Sequence, residues 1–130
     1  MGLVNVNCLL VLVLCLVAAD PLEAIFDHVK VTISNQLPNG APFTIHCKSR
    51  DNDLGTHVIG AGQTYEFSFR INFPGTTLFF CGVGWQGGQV EFDIYRASYK
   101  CDGCYWEVRE DFILGYIDGS PKPDVAIPWK

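Results

Sequence analysis

The apolar residues of this chain recur with a period of two, which points to extended strands and leaves little room for helix. Val29, Val31 and Ile33 alternate with polar neighbours, as do Phe43, Ile45 and Cys47, and then Tyr65, Phe67, Phe69 and Ile71. Val90, Phe92 and Ile94 share one side while Glu91, Asp93 and Tyr95 share the other, and Cys104, Trp106 and Val108 repeat the pattern. The run Thr77 to Trp85 alternates little and reads as a strand buried near the middle of a sheet, and Phe112 to Ile117 supplies a short last strand. Turn chemistry separates these segments at Leu37-Pro38-Asn39-Gly40, Gly60-Ala61-Gly62, Asn72-Phe73-Pro74-Gly75, Gln86-Gly87-Gly88 and Asp102-Gly103. Seven or eight short strands, spaced by about ten residues, predict an all-β fold: a small disulfide-bonded antiparallel β-sandwich.

The compartment follows from the other end of the composition. Residues 3–19 form an apolar run ending in Val17, Ala18 and Ala19, followed by Asp20 and Pro21. Such a segment is expected to be a secretory signal peptide, cleaved after Ala19 or Ala24, and Cys8 and Cys15 would leave with it. It is too short for a comfortable membrane span. The remaining residues, 20–130, have the size of one domain, and no linker divides them. Their four cysteines, Cys47, Cys81, Cys101 and Cys104, predict two disulfides in a secreted chain of modest core. Closing longer loops removes more unfolded-state entropy, which favours Cys47 and Cys81 each reaching into the Cys101/Cys104 pair; a local Cys101–Cys104 bridge is the alternative.

Charge and motif spacing exclude several function classes. The net charge of −5 is spread along the chain, and Lys and Arg stand singly, so nucleic acid is not an expected partner. No basic amphipathic stretch supports membrane binding once the leader is gone. His28, His46 and His57 stand outside any recognisable catalytic spacing, and no cationic site accompanies them, so a ribonuclease-like acid–base pair is weak. Cys101-Asp102-Gly103-Cys104 has redox or zinc spacing, but Asp-Gly reads as a turn between strands and no second ligand pair accompanies it. No metal or cofactor is expected. Asp51 and Asp53 alternate as at the start of a calcium loop, yet the glycine and terminal glutamate of such a loop are missing. The segment Lys48-Ser49-Arg50-Asp51-Asn52-Asp53-Leu54-Gly55 is instead a charged connecting loop, and loops on a rigid scaffold are where recognition residues concentrate.

Four stretches together resemble one known family. They are His46-Cys47-Lys48-Ser49-Arg50-Asp51-Asn52-Asp53-Leu54-Gly55, Tyr65-Glu66-Phe67-Ser68-Phe69-Arg70, Thr76-Thr77-Leu78-Phe79-Phe80-Cys81 with Trp85, and Cys101-Asp102-Gly103-Cys104-Tyr105-Trp106. In order and spacing they resemble the plant self-incompatibility proteins, or S-protein homologues, from about Val29 to Ile117. The resemblance implies a small secreted plant β-sandwich with all four cysteines bridged and no catalytic residues to carry over. It further implies, by analogy with the family's founding members, a ligand read by a cell-surface receptor protein in pollen rejection or a related developmental role. No Asn-x-Ser/Thr sequon occurs, so N-linked sugar is not expected.

The expected function is thus a secreted, monomeric, non-enzymatic ligand whose contacts come from the loop Lys48, Ser49, Arg50, Asp51, Asn52 and Asp53 onward to Gly55, together with Gln86 to Gly88. A small hydrolase would instead gather His46, His57 and Asp51 or Asp53 in one concave site. A glycan- or small-molecule-binding module would expose Trp85 or Trp129 as a platform. The proline-rich tail, Pro121 to Lys130, is expected to be mobile or extended, with Trp129 either anchored at an edge or exposed.

Overall fold

The computed structural model describes residues 28–72, 75–99, 101–117 and 121–130. The expected signal peptide and both cleavage sites lie outside the described residues. Nine strands are found among those described: β1 (His28–Asn35), β2 (Phe43–Lys48), β3 (Asp53–Ile59), β4 (Thr64–Arg70), β5 (Phe79–Trp85), β6 (Gly88–Tyr95), β7 (Gly103–Val108), β8 (Phe112–Tyr116) and β9 (Val125–Pro128). They build a five-stranded sheet in the order β4-β1-β7-β8-β9 and a four-stranded sheet in the order β3-β2-β5-β6. All pairs are antiparallel except β1 with β7.

The period of two becomes burial. Val29, Val31 and Ile33 on β1, Phe43, Ile45 and Cys47 on β2, and Cys104, Trp106 and Val108 on β7 turn inward and are buried. Across β4, Tyr65, Phe67 and Phe69 stand opposite Ile33, Val31 and Val29 and complete one wall of the core. At about 25 cal/mol per Å² of apolar surface removed from water, side chains of this size each contribute on the order of 1.5–3 kcal/mol. Trp106 is the largest fully buried side chain, and its indole N–H meets no acceptor among the described residues. A buried N–H left in this way costs about 1–3 kcal/mol, which the ring's burial offsets.

The sandwich matches the sequence expectation; it differs in the parallel β1–β7 pair within an otherwise antiparallel fold, in two further edge strands and in details of β5 and β6. β3 and β9 were not among the predicted strands. β3 is an edge with one neighbour, so of its seven residues only Ile59 is buried, and no alternation marks it. β9 is the opposite kind of surprise: Pro128 lacks an N–H, and an edge strand tolerates that loss. The tail is therefore a paired strand with β8, not a mobile segment. Within β6, Tyr95 was expected beside Glu91 and Asp93 on the outer side. A bulge between Phe79 and Phe80 slips the register, so Ile94 and Tyr95 are both buried, and Tyr95 meets Phe69 edge-on at 4.9 Å. The run before Trp85 is a central strand as expected, but it begins at Phe79 and alternates, with Phe80, Gly82 and Gly84 outward.

The disulfides are Cys47–Cys81 and Cys101–Cys104, not the longer crossings that loop entropy favours. Register decides the matter. Cys47 and Cys81 are direct partners on β2 and β5, with Cα atoms 4.0 Å apart. Cys104 belongs to the other sheet, and facing sheets stand about 10 Å apart, beyond the Cα separation a disulfide spans. Cys101 and Cys104 have Cα atoms 5.5 Å apart and close on each other across Asp102 and Gly103; Gly103 is the first residue of β7, so the Asp-Gly pair leads into that strand and is not the turn between strands expected from the sequence.

Two further features join the layers. Asn35, at the end of β1, is buried; its amide donates to Ala41 O at 2.9 Å and Ile59 O at 3.0 Å, and its Oδ1 accepts from Leu37 N at 2.9 Å. Beyond β9, Lys130 exchanges two backbone hydrogen bonds with Gln89 on β6, at 3.1 and 3.3 Å, so the chain's last described residue stitches the five-stranded sheet to the four-stranded one.

Candidate functional site

The charged segment after β2 folds into a tight turn. Ser49 N donates to Asn52 O at 2.8 Å, and Asn52 N donates back to Ser49 Oγ at 3.2 Å. Lys48 is the last residue of β2 and Asp53 the first of β3, so the loop expected over Lys48 to Gly55 is only four residues long, and the rest is strand. The Asp53 Oδ1 atom accepts the Gly55 amide at 2.9 Å and lies 2.6 Å from His46 Nε2. Gly55 sits at φ 79°, a conformation that favours glycine and that lets its amide turn back to the carboxylate. The amide of Gly55 first, and His46 second, hold the Asp53 carboxyl below the usual carboxylate range. Arg50 and Asp51 stand at the tip with 95% and 81% of their side chains exposed, 3.8 Å apart. The backbone beneath them is fixed, while the two charged groups extend into solvent.

The same end of the sandwich carries further loops that sequence reading did not single out. β4 ends and β5 begins there, and Asn72 organises the connection: its Oδ1 accepts from Thr76 N and Thr77 Oγ1, both at 2.8 Å. Leu78 emerges from this connection 40% exposed. On the β6–β7 side Arg96 pairs with Asp93 at 3.0 Å and lies over the Tyr99 ring at 5.4 Å. Gln86 to Gly88, expected to join the contact surface, lies elsewhere. Thr44 pairs with Gly84 and Lys48 with Phe80, so the β5–β6 turn and the β2–β3 turn are at opposite ends of one sheet. The β5–β6 turn is packed against the tail: the Trp85 and Trp129 rings are 6.0 Å apart, and the Trp129 indole N–H donates to Arg109 O at 2.9 Å. Both rings are partly buried, so Trp129 is an edge anchor and neither forms an open platform.

The histidines do not converge. His46 and Thr56 are partners on the outer face of β2 and β3, whereas His57 pairs with Ile45 on the inner side. His57 donates to Leu54 O at 2.8 Å and stacks on Tyr65 at 4.7 Å, and His28 receives a hydrogen bond from Arg70 Nε at 3.4 Å. Asp51 faces Arg50, leaving Asp53 as the one carboxylate beside His46. Among the described residues no group of three His, Cys, Asp or Glu side chains is placed to hold a metal ion.

The family model for plant self-incompatibility protein S1 matches residues 30–129. S-protein homolog 24 of Arabidopsis thaliana is 40% identical over 82% of this chain and 73% of its own length. S-protein homolog 5 of the same plant is 46% identical over 62% of this chain and 65% of its own length, so this chain spans just under two thirds of that relative. Among solved structures, one described as an SPH (Self-Incompatibility Protein Homologue) protein, from "a widespread family of small, highly stable, secreted proteins from plants", superposes with a TM-score of 0.62 over 80% of this chain and 96% of its own, at 18% identity.

Proposed function

Because the chain belongs to the plant self-incompatibility protein S1 family, we propose that it is a secreted, non-enzymatic extracellular ligand recognised by a cell-surface receptor protein. Secretion is directed by the apolar leader ending near Ala19, and the oxidised domain acts as a monomer without a cofactor, in pollen rejection or a related developmental signal. The observation that carries this reading is the β2–β3 turn. Its tip offers Arg50 and Asp51 to solvent, while Asp53, His46 and the Ser49–Asn52 bonds fix its shape. A preformed turn loses little conformational freedom on docking, and charge of both signs gives specificity and association rate. The separation of His57 from His46 supports a recognition role over hydrolysis.

The test is saturable binding of the oxidised, labelled protein to pollen or protoplasts of the source plant. A variant with Arg50→Glu and Asp51→Lys, which keeps net charge and leaves the supporting residues alone, is the comparison. Saturable binding that the variant loses supports the turn as the contact surface. Equal binding by both proteins moves the contact elsewhere, and no binding by folded protein to any tissue sinks the ligand reading.

A further inference from the structure

We propose that the outer face of the five-stranded sheet binds a neutral oligosaccharide, with Tyr105 and Tyr116 as the platform on which its pyranose rings lie. The two tyrosines are direct partners on β7 and β8, both outward, with ring centroids 5.8 Å apart. Tyr105 stands opposite Thr32 on β1, yet its hydroxyl lies 2.9 Å from Ser34 Oγ, two residues further along. Tyr116 stands opposite Tyr105, yet its hydroxyl donates to Glu107 Oε1 at 2.8 Å, again two residues along. Both rings therefore lean the same way along the sheet, with 45° between their planes, and Tyr105 is 37% exposed while Tyr116 is half-buried.

The anchors are themselves held. Ser34 is buried and accepts Gln36 Nε2 at 3.3 Å. The Glu107 side chain is only 13% exposed, and the oxygen that accepts Tyr116 also accepts Arg109 Nε at 3.2 Å and Nη2 at 2.9 Å. Rings fixed in this way lose little freedom when a ligand stacks on them. In the direction of lean the face opens into a groove of about 380 Å³ between Gln36 and Pro38 on one side and the β7–β8 turn on the other, where Phe112 is 43% exposed.

The chemistry selects the ligand. Sites for small ligands combine apolar and aromatic walls with a few placed polar groups. The charges beside the rings are paired, Lys30 with Glu66 at 2.9 Å and Arg109 with Glu107 at 2.9 Å, while the groove beyond them carries the exposed carboxylates of Glu110 and Asp111, which disfavour an acidic sugar. Ring faces, an amide, tethered hydroxyls and a half-exposed guanidinium remain, and these match the C–H faces and hydroxyl rim of a sugar chain. This site stands on the other sheet from the β2–β3 turn, so it does not rest on the receptor reading, and either can fail alone.

The experiment titrates cellohexaose, mannohexaose, xylohexaose and the acidic hexagalacturonate into the oxidised full-length domain, followed by backbone amide NMR and calorimetry. At least one neutral hexasaccharide is expected to bind saturably, with shifts confined to β7, β8 and the adjoining part of β1. Tyr105→Ala and Tyr116→Ala should each weaken it by roughly tenfold or more, the loss expected when a stacking ring is removed. Tyr105→Phe, which keeps the ring, should stay within about threefold of the native affinity. Val58→Ala, on the outer face of the other sheet, should change nothing. The proposal is overturned if no neutral hexasaccharide binds at about 10 mM, if hexagalacturonate is preferred, or if the shifts of the native protein map away from β7 and β8. The map settles the question even where an alanine variant fails to fold.

Discussion

Asn35 offers the sharpest test of how the two sheets are joined. Its side chain is 3% exposed and fills three hydrogen bonds, donating to Ala41 O and Ile59 O and accepting from Leu37 N. Asn35→Ala leaves one donor and two acceptors where water does not reach. Each orphaned group costs about 1–3 kcal/mol, and the loop at Leu37–Ala41 can relax to recover part of it, which puts the net loss at about 3–5 kcal/mol. That is a large share of a domain's total stability of about 5–15 kcal/mol. Asn35→Asp separates hydrogen bonding from volume. The introduced carboxyl still accepts from Leu37 N but faces two carbonyl oxygens, so its ionised form is repelled and its folded-state pKa is raised above the unfolded value of about 3.9. For a raised acid the folded state binds more protons, so this stability is present below the unfolded pKa and lost as pH climbs towards the folded one. The aspartate variant should therefore be more stable near pH 4 than at pH 7, relative to the native protein. Urea unfolding of oxidised protein, followed by tryptophan fluorescence at both pH values, measures this. A loss under about 1 kcal/mol for the alanine variant, or an aspartate variant that gains stability as pH rises, refutes the argument.

Three further outcomes follow from single positions. In Gly115→Ala the new methyl would lie 2.7 Å from the fully buried Trp106 ring, which has nowhere to retreat, so stability should fall by about 1–3 kcal/mol in denaturant unfolding. Gly82→Val is the contrast: a Cβ there meets nothing within 4 Å on a central strand, and valine's strand preference should leave stability unchanged or higher by up to about 1 kcal/mol in the same assay. Because the Gly55 amide and His46 hold the Asp53 carboxyl below its ordinary range, the stability it contributes is present above the unfolded pKa of about 3.9 and fades as pH falls towards the folded value. Carboxyl-carbon NMR should show Asp53 titrating below the free carboxylate value of about 3.9, and Asp53→Asn should remove its contribution to the acid dependence of stability.

Legibility in the sequence tracked burial. Strands with one face on the core, such as β1 and β2, announce themselves by alternation, because each inward residue must be apolar and each outward one is free. β3 and β9 do not, since β3 buries only Ile59 and the short β9 buries no residue fully, whereas the edge strands β4 and β6 turn one face to the core and alternate. Tyr95 was misplaced for a related reason: a bulge inserts a residue that no periodicity reveals. The charged tip at Arg50 and Asp51 was visible because polar runs between strands are turns. Its separation from Gln86 to Gly88 was not, because the relative ends of strands depend on pairing order.

The tyrosine face was the least legible part, and one connection explains why. β1 and β7 pair in parallel, with Ser34 and Tyr105 separated by 71 residues, so the chain builds the whole four-stranded sheet before β7 returns to lie beside β1. A parallel pair demands a long crossover, and no local pattern encodes its register. That pairing nonetheless decides the outer surface. It makes β1 an interior strand with β4 on one side and β7 on the other, which buries Val29, Val31 and Ile33 almost completely and sets Ser34 where it meets the Tyr105 hydroxyl. Had β7 paired antiparallel with β1, the same alternating sequence could still have filled the core, but the order of outward side chains along β7 would have run in reverse past Thr32 and Ser34. Inward residues therefore determine that a sandwich forms, whereas the direction of a single strand determines which outward residues become a site.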